Sequence, residues 1–361
     1  MTVGKKDANR SRRLDSASPL IWVGVMLLVL GELAVRVSPE WWPWLSPFGL
    51  TYGWGWWLLL AGTIARAVTF KWWRAVGPAL VLCLTWPSFS LVFSLGSGTT
   101  PVEDADKGLG VLSFNVRRLD EYGWLKGEET RRELSRWLME REEHIWCLQE
   151  FPLNGRAMLQ KAGFSWAVPS RKLLAWPSGA GPAVVTDLPV KDWSTWMFPQ
   201  GAGRGRVVQV DVETQGGVVR IFNVHLQSLY FSEADYEAVE EGPSREEGLR
   251  LLDLLTQAYA ARAAQVQELK RRMEESPYPV LLAGDFNDSP MSYAMRSLRK
   301  SRVSDTFEAG EFGWQGTHIG TLPGLRIDGV LADTVWQSRS HQTHDVELSD
   351  HRPVTVLLER K

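Results

Sequence analysis

The chain has 361 residues and a formal net charge of −2. That length suits one large domain with an appendage, and the balanced charge excludes recognition of a polyanion by bulk charge alone. The two cysteines, Cys83 and Cys147, form no CxxC pair or Cys/His cluster, which excludes a thiolate zinc site and leaves oxygen ligands for any bound metal.

Residues 1–19 form a basic tail with Lys5, Lys6, Arg10, Arg12 and Arg13. Three apolar stretches follow, Leu20–Val37, Pro47–Thr69 and Val76–Leu95, each long enough to cross a hydrocarbon core of about 30 Å if helical throughout. Ten of the 19 tryptophans fall before residue 90, and Trp favours the water–lipid boundary. The region 20–96 is therefore expected to be a bundle of about three transmembrane helices. The first loop lacks Lys and Arg, and the second carries Arg66, Lys71 and Arg74. That asymmetry predicts a multi-pass inner-membrane protein with a cytoplasmic N-terminus and everything after residue 97 outside the cytoplasm. Glu32 lies near the outer end of the first stretch, within reach of the interface, and is assigned no function. Residues 97–108 are polar and contain Gly, Thr, Pro and Asp, which predicts a linker.

Residues 109–361 alternate short apolar runs with helical stretches, the pattern of an α/β domain with buried sheets. Arg131–Arg141 and Ser244–Glu275 are expected to be helices, the second ended by Pro277 and Pro279. The apolar runs end or begin on polar residues. GVLSF stops at Asn115, HIWCL at Gln149-Glu150, VVRIFNV at His225 and PVLLAG at Asp285-Phe286-Asn287. Asp328 opens another run, and Ser349-Asp350-His351 precedes the last. Buried carboxylates are costly unless paired or metal-bound, so six such tips predict convergence at one edge of the sheets, around a single cation.

Each tip has a plausible chemistry. Asp285 and Asn287, two apart in an extended segment, face the same side, where a carboxylate beside an amide accepts a proton from water and orients it. A plain turn is the alternative. An Asp328 carboxylate on the His351 imidazole would fix its tautomer and favour its charged form. Glu150 and Asn115 offer oxygen ligands, although Gln149-Glu150 also fits a strand cap. Mg²⁺ favours one or two carboxylates, waters and a substrate phosphate.

The set LSFNVR, CLQE, NVHLQS, GDFND, RIDGV and LSDHRP, in that order, resembles the endonuclease/exonuclease/phosphatase superfamily with its DNase I-like fold. The resemblance covers 109–361 and implies a four-layer α-β-β-α sandwich. It implies that Glu150 is the principal Mg²⁺ ligand, helped by Asn115 and Asp350, with Mn²⁺ a possible substitute. It implies that Asp285 activates the attacking water, with Asn287 orienting it. His351, held by Asp328, would stabilise the phosphorane-like charge, and His225 would be a second phosphate contact. Gly329 stands where the family usually has an aromatic residue, and a wider pocket is expected there. The tyrosine or asparagine that the family's nucleases place between the Glu and first His motifs is not identifiable. The layout is also similar to a membrane-anchored bacterial subgroup.

The resulting expectation is a metal-dependent phosphoesterase that hydrolyses phosphodiesters outside the cytoplasm. Its substrate would be a phospholipid or glycolipid headgroup or another extracytoplasmic phosphodiester. A tethered nuclease acting on nucleic acid is the enzymatic alternative, and a non-catalytic phospho-ligand or partner-binding protein is the alternative of another class. His341 and His344, three apart in an extended segment, are not expected to share an ion. His318 is a candidate for the mouth of the site, and His144 for a cap. Arg204 and Arg206 read as a solvated loop, and Trp193, Trp196 and Trp314 as core or rim.

Overall fold

The computed structural model describes residues 18–68, 72–96, 108–167, 170–229, 232–320 and 324–361. Nearly all of the expected basic tail and of the linker lies outside them. The first helices are α1 (Ser18–Ala34), α2 (Tyr52–Val68) and α3 (Val76–Phe89). Next come β1 (Leu109–Asn115), α4 (Glu128–Met139), β2 (Ile145–Pro152), α5 (Gly155–Lys161), β3 (Lys172–Ala175), β4 (Ala180–Thr186) and β5 (Val190–Met197). The rest are β6 (Arg206–Thr214), β7 (Gly217–His225), α6 (Glu233–Glu241), α7 (Arg245–Glu274), β8 (Val280–Asp285), α8 (Tyr293–Arg299), β9 (Val303–Asp305), β10 (Asp328–Asp333), β11 (Trp336–Thr343) and β12 (Val354–Arg360).

The strands form two six-stranded sheets, ordered β11-β12-β1-β2-β4-β3 and β5-β6-β7-β8-β10-β9. Their inner faces meet in one core. Val111, Ile145, Cys147 and Val184 of the first sheet pack on Val208, Val210, Ile221, Leu281, Ala283 and Val330 of the second. The outer face of the first sheet buries Leu134, Leu138 and Leu159 of α4 and α5. That of the second buries Val266, Leu269 and Met273 of α7 with Met295 and Leu298 of α8. These are the expected four layers. Ser244 and Glu247 close a capping box at the start of α7, which satisfies two otherwise orphaned backbone donors.

Topology explains why the strand tips converge. β1 runs parallel to β2, and β7 parallel to β8. β12 is antiparallel to β1, and β10 antiparallel to β8. The starts of β12 and β10 therefore meet the ends of their neighbours at one edge. A buried amide pair joins the sheets close behind it. Gln149 Nε2 donates to Asn223 Oδ1 at 2.8 Å, and Asn223 Nδ2 lies 2.9 Å from the Leu148 carbonyl and 2.8 Å from that of Ala183.

The N-terminal region corrects the transmembrane expectation. Among the described residues, no helix is long and apolar enough to cross a membrane. α1 and α2 have 17 residues each and α3 has 14, so the longest spans roughly 26 Å at 1.5 Å per residue. The apolar runs are longer than the helices within them. Residues Pro43–Thr51, with Pro47 inside, form a 3-10 segment instead of extending α2, and Trp72–Arg74 form another before α3. The reading of a membrane-embedded, multi-pass inner-membrane protein with its catalytic domain outside the cytoplasm is overturned with the spans.

Part of that apolar surface packs within the chain. Trp56 stacks on Phe89 with ring centroids 4.0 Å apart, and Trp314 meets Phe89 and Phe93 edge-on. Trp314 thus joins the helical cluster. Gly53 is required there, because a Cβ would fall 2.3 Å from the Trp314 ring. Ser94 pairs with Gly313, and Arg326 Nη2 donates to the Leu91 carbonyl at 2.9 Å. The helices therefore dock directly on the sandwich.

Candidate active site

Asp285 ends β8 opposite His225 on one side and Asp328 on the other. The preceding Gly284 has φ +147°, and a Cβ there would lie 2.0 Å from the Val224 carbonyl oxygen. Only glycine lets β7 and β8 close this tightly. The Asp285 side chain is buried, and each oxygen is held. The Asn287 backbone N–H donates to Oδ1 at 2.8 Å, and Asn115 Nδ2 donates to Oδ2 at 3.0 Å. His225 Nε2 and His351 Nε2 lie 3.7 Å and 3.9 Å from Oδ2. Burial, and next the charge of Asp328, raise the Asp285 pKa above its ordinary value.

Asn287 sits at φ 51°, a region that Asn tolerates better than most residues, and its Nδ2 donates to the Leu226 carbonyl at 3.1 Å. Those contacts fix the turn below Asp285. On the other flank, His351 Nδ1 donates to Asp328 Oδ2 at 2.8 Å, which leaves Nε2 facing Asp285. Burial opposes a charge on His351. Asp328 and Asp285 outweigh it, and the imidazole is pushed up to about 10. His351 is therefore an imidazolium near neutral pH, as the sequence pairing with Asp328 implies.

Glu150 differs from the other tips in lying within its strand. The β2–β4 register shifts between Leu148 and Phe151, and Glu150 takes φ 52°. This bulge re-aims its side chain. Glu150 Oε1 lies 3.3 Å from Asn115 Nδ2 and 3.9 Å from His225 Nε2, with the side chain 33% exposed. Asp350, 30% exposed, pairs with Arg117 Nε at 3.2 Å. Ser349 Oγ lies 2.8 Å from the Asn115 carbonyl and 3.1 Å from Asp350 Oδ1, linking that corner to Asn115.

All eight residues singled out in the sequence, Asn115, Glu150, His225, Asp285, Asn287, Asp328, Asp350 and His351, join this one network. Among the described residues, the tightest group of possible ligand atoms is Asp285, Asp328 and His351, within 4.8 Å of one another. That differs from the expected ligand set. His351 Nδ1 is committed to Asp328, and Asp285 to Asn115 and Asn287, whereas Glu150 and Asp350 are the more open carboxylates. The Asn115 amide, expected as a ligand, donates to Glu150 and Asp285 and accepts from the Arg117 N–H through Oδ1. Oxygen donors of this kind suit a hard divalent cation, and the exposed pair leaves room for substrate and water.

Some functional neighbours escaped the sequence reading. Arg117 lies inside LSFNVR, next to the residue that was read. His318, expected only at the mouth, pairs with His351 as an isolated bridge, with rings 5.4 Å apart. Burial, and then the His351 charge, lower its pKa. Gly329 faces away from Asp285; a Cβ there would meet Arg326 at 3.5 Å and Phe286 at 3.9 Å, so it does not widen the pocket. His341 and His344 bond Thr306 and Thr355 separately. His144 pairs with Asp187, Arg206 donates to the Ala180 carbonyl, and Trp196 lies under Arg272.

Comparison with known proteins follows the same lines. The model of the Endonuclease/Exonuclease/phosphatase family matches residues 112–351. No curated protein sequence matches the chain. Among solved structures, a family protein from Bacteroides thetaiotaomicron superposes with TM-score 0.53 at 15% identity, covering 70% of this chain and 98% of that one. D. rerio TDP2 complexed with single strand DNA product gives 0.51 at 16%, covering 70% and 100%. The B. thetaiotaomicron mannosyl-6-phosphatase gives 0.50 at 16%, covering 69% and 99%. At these identities the likeness establishes the fold, and the family match, across most of the chain, establishes descent. The expectation of a non-catalytic binding protein is set aside, because this chain belongs to the endonuclease/exonuclease/phosphatase family and is a hydrolase of phosphoric esters.

Proposed function

We propose that the chain is a divalent-metal-dependent phosphodiesterase that uses in-line attack by water. The observation that carries this reading is the buried Asp285 carboxylate, gripped by Asn115 and Asn287 and flanked by His225 and His351. Its raised pKa suits a general base, whose efficiency grows as its pKa approaches the working pH. In this reading Asp285 takes the proton from water, and Asn287 fixes the turn that aims it. The His351 imidazolium donates from Nε2 to a phosphoryl oxygen, and Asp328 keeps it charged and oriented. Such donors act on charge that grows in the transition state. His225 contacts the phosphate from the side of Glu150.

Glu150 and Asp350 would hold the cation, Mg²⁺ or Mn²⁺, with Asn115 orienting Glu150. Bound there, the cation would polarise the phosphoryl group and offset charge on the leaving oxygen. A diester is favoured over a monoester by charge. The four carboxylates Glu150, Asp285, Asp328 and Asp350 would balance the cation, His351 and Arg117. A monoester dianion brings close to a full charge more than a diester into a site with no net positive charge left to meet it. The lipid-headgroup reading drew its support from the membrane tether, which no described helix is long and apolar enough to supply.

Turnover of bis(p-nitrophenyl) phosphate and p-nitrophenyl phosphate, with EDTA or with added Mg²⁺ or Mn²⁺, tests this reading. The diester is expected to be hydrolysed faster, with activity abolished by EDTA and restored by either cation. Full activity in EDTA, or hydrolysis of the monoester alone, would overturn it.

A further inference from the structure

The loop between β1 and α4 carries a patch that the chemistry above does not use. Residues Tyr122–Lys126 are all exposed. They include Tyr122 at 64%, Trp124 at 45%, and also Leu125. Contiguous apolar surface on a folded domain marks a contact site. The loop is also held in place. Arg117, Arg118, Leu119 and Asp120 all have φ between 40° and 57°, a left-handed run that L-residues adopt only at a cost. The buried Asp120 carboxylate accepts from the backbone N–H groups of Leu125 at 3.1 Å and Gly127 at 2.7 Å. Arg131 Nη1 donates to the Asp120 carbonyl at 2.8 Å.

This patch begins one side chain from the catalytic network. The Arg117 guanidinium lies 4.5 Å from the Trp124 ring centroid, while its Nε is 3.2 Å from Asp350. Tyr122 meets Trp124 edge-on at 5.0 Å, and Arg118 lies over the Tyr122 ring at 5.1 Å. Aromatic faces interleaved with guanidinium planes stack planar heterocycles. An alkyl chain laid there would instead desolvate two cations without compensation. A phosphate beside Asp350 would meet the remaining guanidinium nitrogens of Arg117, which bind phosphate oxygens as a fork.

We propose that Tyr122 and Trp124 form a stacking platform for the nucleobase of a nucleoside 5′-phosphate ester, with Arg117 as the positioning residue that bridges platform and phosphate. The proposal rests on the phosphodiesterase reading for the place of the phosphate, but its test requires no turnover. The full chain carrying Asp285→Asn, with Mg²⁺, is titrated calorimetrically with two diesters, adenosine 5′-(methyl phosphate) and ribose 5-(methyl phosphate), the second of which lacks the base. The adenosine diester is expected to bind about tenfold tighter, the scale of one base stacked on an aromatic ring. Adding Trp124→Ala should bring the two affinities together, and Trp124→Phe should restore the difference. Equal affinities in the parent, no measurable binding of either ligand, or a ratio unmoved by Trp124→Ala would each overturn the platform. Failure of the diester assay with a preserved base preference would instead count against the phosphodiesterase reading alone.

Discussion

Replacing Asp285 with asparagine is expected to lower kcat by roughly 10²–10⁴-fold, the range that a positioned general base contributes. The substitution keeps size and shape, and the new amide oxygen can still accept from the Asn287 N–H, while its NH2 takes the place of the oxygen that accepted from Asn115 Nδ2. What it removes is the site for the proton from water and the charge that helps hold His351 as an imidazolium. KM for a diester should change by no more than a few-fold, because the lost interaction belongs to the transition state. Steady-state kinetics on bis(p-nitrophenyl) phosphate measures both. A loss confined to KM would assign Asp285 to binding, and unchanged turnover would remove it from the chemistry.

Replacing Arg262 with leucine is expected to cost about 3–5 kcal/mol of stability, the range for removing one partner of a buried ion pair. Arg262 comes from α7, yet it serves the turn under the site. Its Nε donates to Asp288 Oδ2 at 3.1 Å and its Nη1 to the Gln227 carbonyl at 3.0 Å, with both charged side chains almost fully buried. Asp288 follows Asn287, and Gln227 lies two residues after His225, so one guanidinium ties together the two turns that carry them. Burial already raises the Asp288 pKa, and Arg262 is the charge that opposes it. Without Arg262 the carboxylate must take up a proton or unfold its surroundings. Thermal unfolding of Arg262→Leu should shift down by roughly 10 °C for a domain of this size. The double variant Arg262→Leu/Asp288→Asn should recover part of that loss, because no unpaired charge remains buried. A single variant as stable as wild type would contradict the assignment.

The sequence showed the polar strand tips because burial makes a carboxylate at the end of an apolar run hard to explain in any other way. Asn115, His225 and Asp285 end their strands where the apolar runs stop, and Asp328 opens one. Helix α7 was equally legible, with Pro277 and Pro279 marking its end. Glu150 was found as a ligand candidate, but its bulge was not, since a register shift depends on what β4 does opposite. The pairing of Gln149 with Asn223 and of Arg262 with Asp288 joins positions 74 and 26 residues apart, and nothing local announces either. The transmembrane reading failed for a related reason. Hydropathy sums apolar residues along the chain, but Pro43 and Pro47, the 3-10 turns and the docking of Trp314 decide how many of them share one helix.

On the proposed mechanism, the open carboxylates at this edge hold one divalent cation beside Asp285 and His351. Mn²⁺ binding followed by electron paramagnetic resonance tests it most directly, comparing wild type with Glu150→Gln and with Glu359→Gln, a surface change in the ion pair to Arg339. The expected result is saturable Mn²⁺ binding by wild type, at least about tenfold weaker in Glu150→Gln and unchanged in Glu359→Gln. Mn²⁺ held as tightly by Glu150→Gln as by wild type would contradict it.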